Sequence, residues 1–247
     1  IKGTCEIVKT LPQDTEKKMV LLPDHSSVAE DDDEFIKMHV LINNESTLAQ
    51  KVDTRFCLQH PSPEYTSSDL DEYYELPFTR AVPKKLRGFE FSVVTHRGCI
   101  GNCSFCSLKL IQSDKIISRS EESILREITS ITKNQHFKGN IDDLGGPSAN
   151  MYGMDCKTKC PKECISCHTL VSNHSRLINL MREARKIKGV NHVYVRSGIR
   201  YDLAPDEYIR ELVENGHIYE TLRIAPEHVS KNVLQLMNKD RGDLKRF

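Results

Sequence analysis

The sequence predicts an α/β protein: a partial parallel (β/α) barrel preceded by an N-terminal extension. Three observations predict it. From residue 89 onward, short β-branched runs alternate with stretches of helical period. Breakers fall between them, at Gly145-Gly146-Pro147, Gly189, Pro205 and Gly216. The reactive side chains collect in the segments just after the strands, where parallel α/β folds place their chemistry.

Each element has its own reason. Residues 89–95 (FEFSVVT) are apolar and β-branched, bounded by Gly88 and a cysteine-bearing loop, and predict the first strand. Ser118 and Glu121 stand three apart as a capping box, and Ile124, Leu125, Ile128 and Ile131 form the stripe of the helix that follows. Residues 140–144 predict a second strand stopped at the Gly-Gly-Pro turn. Leu177, Leu180, Met181, Ala184 and Ile187 predict a helix that Gly189 ends. Residues 190–195 are the third strand. Pro205 opens a helix carrying Ile209, Leu212 and Val213, with Gly216 as its stop. Residues 221–225 are the fourth strand, and Ser230 caps a last helix through Val233, Leu234 and Met237. Four such units are too few to close a barrel, so the chain reads as an internal fragment.

Composition narrows the function classes. Lys plus Arg number 35 and Asp plus Glu number 35, for a net charge of zero. That argues against a partner held by bulk electrostatics, such as a nucleic acid or an anionic membrane. The charge is nonetheless divided, −6 over residues 1–90 and +6 over 91–247. Residues 1–88 read as the C-terminal part of an N-terminal domain with its linker. Residues 89–247 read as the core, carrying a Cys-rich insertion at about 151–172. The acidic run 30–34 reads as a solvated loop or helix start. No secretory leader is visible, so a cytoplasmic location is expected and disulfides are not. Cys5 and Cys57 are isolated and read as small core residues.

The strongest pattern is Cys99-x3-Cys103-x2-Cys106, in THRGCIGNCSFCSL. Three thiolates on one glycine-containing loop suit three irons of a cubane iron–sulfur cluster, leaving the fourth iron open to a small molecule. A structural zinc short of one ligand, or ordinary buried thiols, are the plainer alternatives. A second set, Cys156, Cys160, Cys164 and Cys167, lies on a Lys-rich, Pro-containing stretch. Its spacing suits an auxiliary iron–sulfur cluster or a zinc staple, and also redox-paired thiols.

The cysteine loop resembles the radical SAM motif C-x3-C-x-Φ-C, with Phe105 at the aromatic position. The longer runs HRGCIGNCSFC, IISRSEESILREI, DLGGPSANMYGMDC and VRSGIRYD resemble the YgiQ-like family of large radical SAM proteins, over about residues 64–247. The resemblance implies a barrel of the radical SAM type. It also implies a [4Fe-4S] cluster on Cys99, Cys103 and Cys106 that cleaves S-adenosylmethionine (SAM) reductively to a 5′-deoxyadenosyl radical. It places the backbone near Phe105 against the adenine, and the Gly145-Gly146 carbonyls at the SAM amino group. Ser197 and Arg200 are expected at the SAM carboxylate, with Glu227 and His228 at the ribose. Pro147 stands where many members have Glu, which removes a side chain from that spot. An electron donor such as flavodoxin or ferredoxin is the implied partner. Two other classes stand beside this enzyme: a zinc-containing binding module, and an iron–sulfur electron-transfer module without SAM chemistry. Aromatics at 6% and the lack of Trp weigh against a nucleic-acid module. The Gly-Gly turn and the loops gathered on one face weigh against simple electron transfer.

Overall fold

The computed structural model describes residues 2–12, 19–43, 45–156 and 164–239. The chain divides into two compact units, 1–64 and 65–247. The first is a four-stranded sheet with two helices: β1 (Cys5–Val8), β2 (Met19–Leu21), α1 (His25–Glu30), α2 (Asp32–Leu41), β3 (Thr47–Val52) and β4 (Arg55–Gln59). Strand order is β1-β4-β3-β2, with β2 and β3 parallel and the rest antiparallel. The acidic run is a helix start. Asp31 caps α2 by accepting from Asp33 N (2.8 Å) and Glu34 N (3.3 Å). Cys5, expected in a core, is exposed, because it sits on the edge strand β1.

The second unit is mixed α/β. Its elements are α3 (Ser67–Glu75), β5 (Ser92–Val94), β6 (His96–Arg97), α4 (Leu108–Ile111), β7 (Ile117–Ser118), α5 (Glu121–Ile131), β8 (Asn140–Ile141), β9 (Asp143–Gly145), α6 (Ser175–Lys186), β10 (His192–Val193), α7 (Asp206–Glu214) and α8 (Lys231–Leu236). β5 pairs with β9, and β8 with β10, both in parallel. The ladders run two or three residues each and make small sheets. Val93, Ile141, Leu144, Val193 and Val195 point into one apolar core with Ile124, Ile128 and Ile131 of α5, Leu177, Leu180 and Met181 of α6, and Tyr208 and Leu212 of α7. The stripes read for α5 and α6 pack into this core; on α7 Leu212 enters it while Val213 is exposed, and Val233 and Leu234 of α8, with Met237 at its end, lie outside it.

The elements differ from expectation where side chains capture backbone. The first strand is cut to Ser92–Val94, because Phe91 N donates to Asp142 Oδ2 (3.0 Å) instead of to a ladder. The cap of α5 is Ser120, whose Oγ accepts from Ser123 N at 3.1 Å; Ser118 pairs with His96 in the antiparallel β6–β7 bridge. The second strand is broken by a bulge. Tyr194 N donates to Ile141 O (3.0 Å) and Leu144 N donates to Tyr194 O (2.8 Å), so residues 142–143 include one too many for the ladder. The fourth strand is reduced to a single parallel bridge, Ile199 with Ile224. Ser230 is the N-cap of α8, without a side-chain capping bond, and Pro205 opens α7 from the N-cap position. Among the described residues no helix is long and apolar enough to cross a membrane.

Candidate cluster and SAM site

Three segments that follow strands come into contact: 95–106 after β5, 146–151 after β9 and 196–202 after β10. The bulge prepares the meeting. Asp143 Oδ1 accepts from Arg196 N (2.8 Å) and Ser197 N (3.1 Å), and its Oδ2 accepts from the Ser197 hydroxyl. Asn150, fully buried, clamps the backbone of Arg200 from both sides: Oδ1 accepts from Arg200 N (2.8 Å) and Nδ2 donates to Arg200 O (3.0 Å). Thr95 donates to the Gly145 carbonyl through N (2.7 Å) and Oγ1 (3.2 Å).

The cysteine loop is seated by glycines. At Gly98, with φ +84°, a Cβ would lie 1.8 Å from Lys115 O, so only glycine lets the chain pass there into Cys99. Cys99 N donates to Ser113 O (3.1 Å), and Cys106 N to Cys103 O (3.1 Å). Ser104 N donates to Met237 O (3.0 Å) and Asn238 Nδ2 to Asn102 O (2.7 Å), which docks the end of α8 on the loop. Cys99 packs against Ile100, Ile116, Met151 and Met154, and so does Cys164.

The thiols share one electrostatic environment. Burial pushes the Cys99 thiol up, and the neighbouring Cys103 and Cys106 act in the same sense. The Gly101 N–H, 3.4 Å from Cys99 Sγ, and the Arg200 guanidinium oppose that rise. Cys103 is 8% exposed, and Arg200, 3% exposed, directs Nη1 at its Sγ from 3.6 Å. Arg200 is held in turn by a two-point pair with Asp202: Nε to Oδ1 at 2.9 Å and Nη2 to Oδ2 at 2.6 Å. Among the described residues no three His, Cys, Asp or Glu gather tightly enough to hold one metal ion. A cubane asks for a wider set, since each cysteine ligates its own iron. Three soft thiols on one loop, two of them already facing N–H donors, fit that demand.

The other expected residues fall differently. The Gly145 carbonyl is taken up by Thr95. Gly146 lies under the His96 ring, and a Cβ there would be 2.5 Å from His96 Cε1. Both residues expected at a carboxylate are already engaged, Ser197 by Asp143 and Arg200 by Asp202 and Cys103. Phe105 is 55% exposed. Glu227, at φ +65°, pairs with Lys239 (2.7 Å), and His228 is exposed with Nδ1 accepting from Ser230 N (2.9 Å). In the second set, Cys164 and Cys167 share one turn, Cys167 N donating to Cys164 O at 3.0 Å, and Cys156 is exposed. Cys160 lies outside the described residues.

Residue-by-residue reading missed His96, Asp143, Asn150 and Asp202. His96 and Asp143 are polar residues in short strands, a weak sequence cue, whereas Asn150 and Asp202 lie in single turns after the strands and carry none. His96 is 0% exposed. The Thr95 hydroxyl donates to Gly145, so it accepts from His96 Nδ1–H at 2.9 Å. Burial lowers the His96 pKa to about 4; Asp155 and the Ser148 backbone offset part of the effect.

Comparison with known proteins decides the family. The model described as "Radical SAM superfamily" matches residues 93–247, and the one described as "Radical SAM N-terminal" matches residues 1–93. This chain belongs to the radical SAM superfamily. Within it, the chain is similar to UPF0313 protein MJ1155 of Methanocaldococcus jannaschii, 41% identical over 248 residues, which cover 92% of this chain and 41% of that protein. UPF0313 protein FN0734 of Fusobacterium nucleatum is 36% identical over 271 residues, 97% of this chain and 47% of its own. A UPF0313 protein of Thermotoga maritima is 41% identical over 218 residues, 79% of this chain and 38% of its own. The chain thus spans less than half the length of each of these relatives. The cysteine loop, the Gly145-Gly146 turn and Arg200 all fall inside the radical SAM match.

Proposed function

We propose that this chain carries the radical-generating core of a radical SAM enzyme, with residues 89–247 forming a partial barrel of that type. The observation that supports it best is that Cys103 and Cys106 lie close enough to Cys99 to act on its thiol, with the Arg200 guanidinium aimed at Cys103. When bound, a [4Fe-4S] cluster and SAM supply an electron and a breakable sulfonium C–S bond, and so a 5′-deoxyadenosyl radical.

The chain's residues would bind, orient and shield. Cys99, Cys103 and Cys106 would be the three thiolate ligands. Gly146, whose missing Cβ makes room for the buried His96 ring, would offer its backbone carbonyl to the SAM amino group. The backbone near the exposed Phe105 is offered to the adenine. Glu227 and His228, both exposed, would contact the ribose. Asp143 fixes Ser197, and with it the wall after β10. Cys156, Cys160, Cys164 and Cys167 are proposed to hold a second centre, iron–sulfur or zinc. Cys164 packs against the same apolar cluster as Cys99, so such a centre would lie near the first. A reductant of the flavodoxin or ferredoxin kind would supply the electron in a reducing, cytoplasmic setting.

The test is anaerobic reconstitution with iron and sulfide, followed by paramagnetic resonance with and without SAM. A reduced-cluster spectrum that changes on adding SAM is expected, together with methionine and 5′-deoxyadenosine. A cluster indifferent to SAM would refute the proposal in favour of an electron-transfer module. Stoichiometric zinc with no cluster would favour a binding module.

A further inference from the structure

We infer that Arg200 is a positioning residue for the cluster, donating a hydrogen bond to the Cys103 sulfur and thereby raising the reduction potential. The inference rests on the cluster reading above and goes beyond it.

Two observations carry it. The first is direct geometry: Nη1 of a guanidinium that is 3% exposed sits 3.6 Å from Cys103 Sγ. The second is steric. A Cβ on Gly101 would lie 2.1 Å from that same Nη1, and 3.4 Å from Cys99 Sγ. Gly101, between the first two cysteines, is therefore the gap through which the guanidinium reaches the loop. The head group has little freedom to be elsewhere. Asp202, 2% exposed at its side chain, grips it in a fork, and Asn150 fixes its backbone at both N and O.

The chemistry follows from charge. Adding an electron to an iron–sulfur cluster adds negative charge, part of it on the ligand sulfurs. A buried cationic N–H donor on one sulfur stabilises the reduced state more than the oxidised one, and hydrogen bonds to sulfur are a recognised lever on potential. Asp202 neutralises Arg200 overall, so a bare positive charge is not brought to the cluster. The effect is local and directional, a donor aimed at one sulfur.

The test compares wild type with Arg200→Lys, Arg200→Gln and Arg200→Gln/Asp202→Asn, each reconstituted without oxygen. The readouts are iron content and the midpoint potential from a paramagnetic resonance titration, neither of which is turnover. At a fixed solution potential, Arg200→Gln is expected to hold about tenfold less reduced cluster, which for a one-electron couple is a fall of about 59 mV. The double variant removes the carboxylate that Arg200→Gln would leave buried and unpaired, and should still show a fall in the same direction. Arg200→Lys keeps the charge and the Asp202 partner but not the fork; it serves if the glutamine variants do not fold, and should show a smaller fall. A double variant at the wild-type potential would mean that Asp202 alone caused the effect, and overturns the inference. Normal clusters with equal potentials in all four proteins overturn it too, while leaving the cluster reading intact. Wild type that assembles no cluster overturns both.

Discussion

Acidification is expected to destabilise this protein through His96. The imidazole is fully buried, and its Nδ1–H is spent on Thr95 Oγ1. In the folded chain its pKa is lowered from an ordinary 6.5 to about 4, chiefly by burial. Between those values the unfolded chain carries a proton that the native chain refuses, so stability falls as pH falls. The contribution is fully present above pH 6.5 and is lost as pH drops toward 4. A gap of about 2.5 pH units at ~1.4 kcal/mol per unit gives a total of ~3 kcal/mol, of which ~2 is gone by pH 5. Against a typical domain stability of about 5–15 kcal/mol that is a large share. His174 and His217, also lowered by burial, act in the same direction and leave a residual slope. The assay is urea denaturation at pH 7.5, 6, 5 and 4.5 on wild type and His96→Asn, which retains a donor near the Nδ1 position but does not titrate. Wild type should lose ~2 kcal/mol more than the variant between pH 7.5 and 5, by the same linkage. Parallel stability curves for the two proteins would refute the reasoning, whatever their absolute offset.

Gly146→Ala drives a methyl into the His96 ring, with contacts of 2.5–2.8 Å to three ring atoms, so it should cost about 1–3 kcal/mol by overpacking. A melting curve like wild type would show that the ring gives way. Gly98→Ala meets the Lys115 carbonyl, which is backbone and cannot swing aside; it should displace Cys99 and abolish cluster uptake, read as iron per chain. Glu211, buried between Arg182 (2.6 Å) and His217 (3.4 Å), joins α6, α7 and the turn after α7. Arg182 is largely exposed, so Glu211→Ala should cost ~2 kcal/mol rather than the full value of a buried pair, checked by chemical denaturation. For the second cysteine set, Cys99→Ala/Cys103→Ala/Cys106→Ala is expected to keep about one metal centre per chain in protein prepared without oxygen. A triple variant with neither iron nor zinc would remove that centre.

What the sequence determined by itself was periodic or short in range. The stripes of α5, α6 and α7 follow from apolar spacing, because one helical face must find a core whatever lies opposite. The helix stops at Gly189 and Gly216 were legible for the same reason, since both adopt positive φ, which glycine alone tolerates freely. The cysteine loop was legible because its three thiols stand within eight residues of one another. Tertiary structure decided whatever depends on segments far apart in the chain. Ser120, not Ser118, caps α5 because residue 118 is drawn into a bridge with His96 and Asp71 accepts from Ser120 N at 3.0 Å. The strands end early because Asp142 and Asp143 take backbone N–H groups that a regular ladder would have used. Arg200 reads alike from sequence as a surface ion pair or a ligand-binding residue. Only folding sets it between Asp202, Asn150 and Cys103, the last 97 positions away. A local pattern records which face of an element is apolar; it carries no record of the side chain that will meet a given sulfur or N–H once the distant loops have closed.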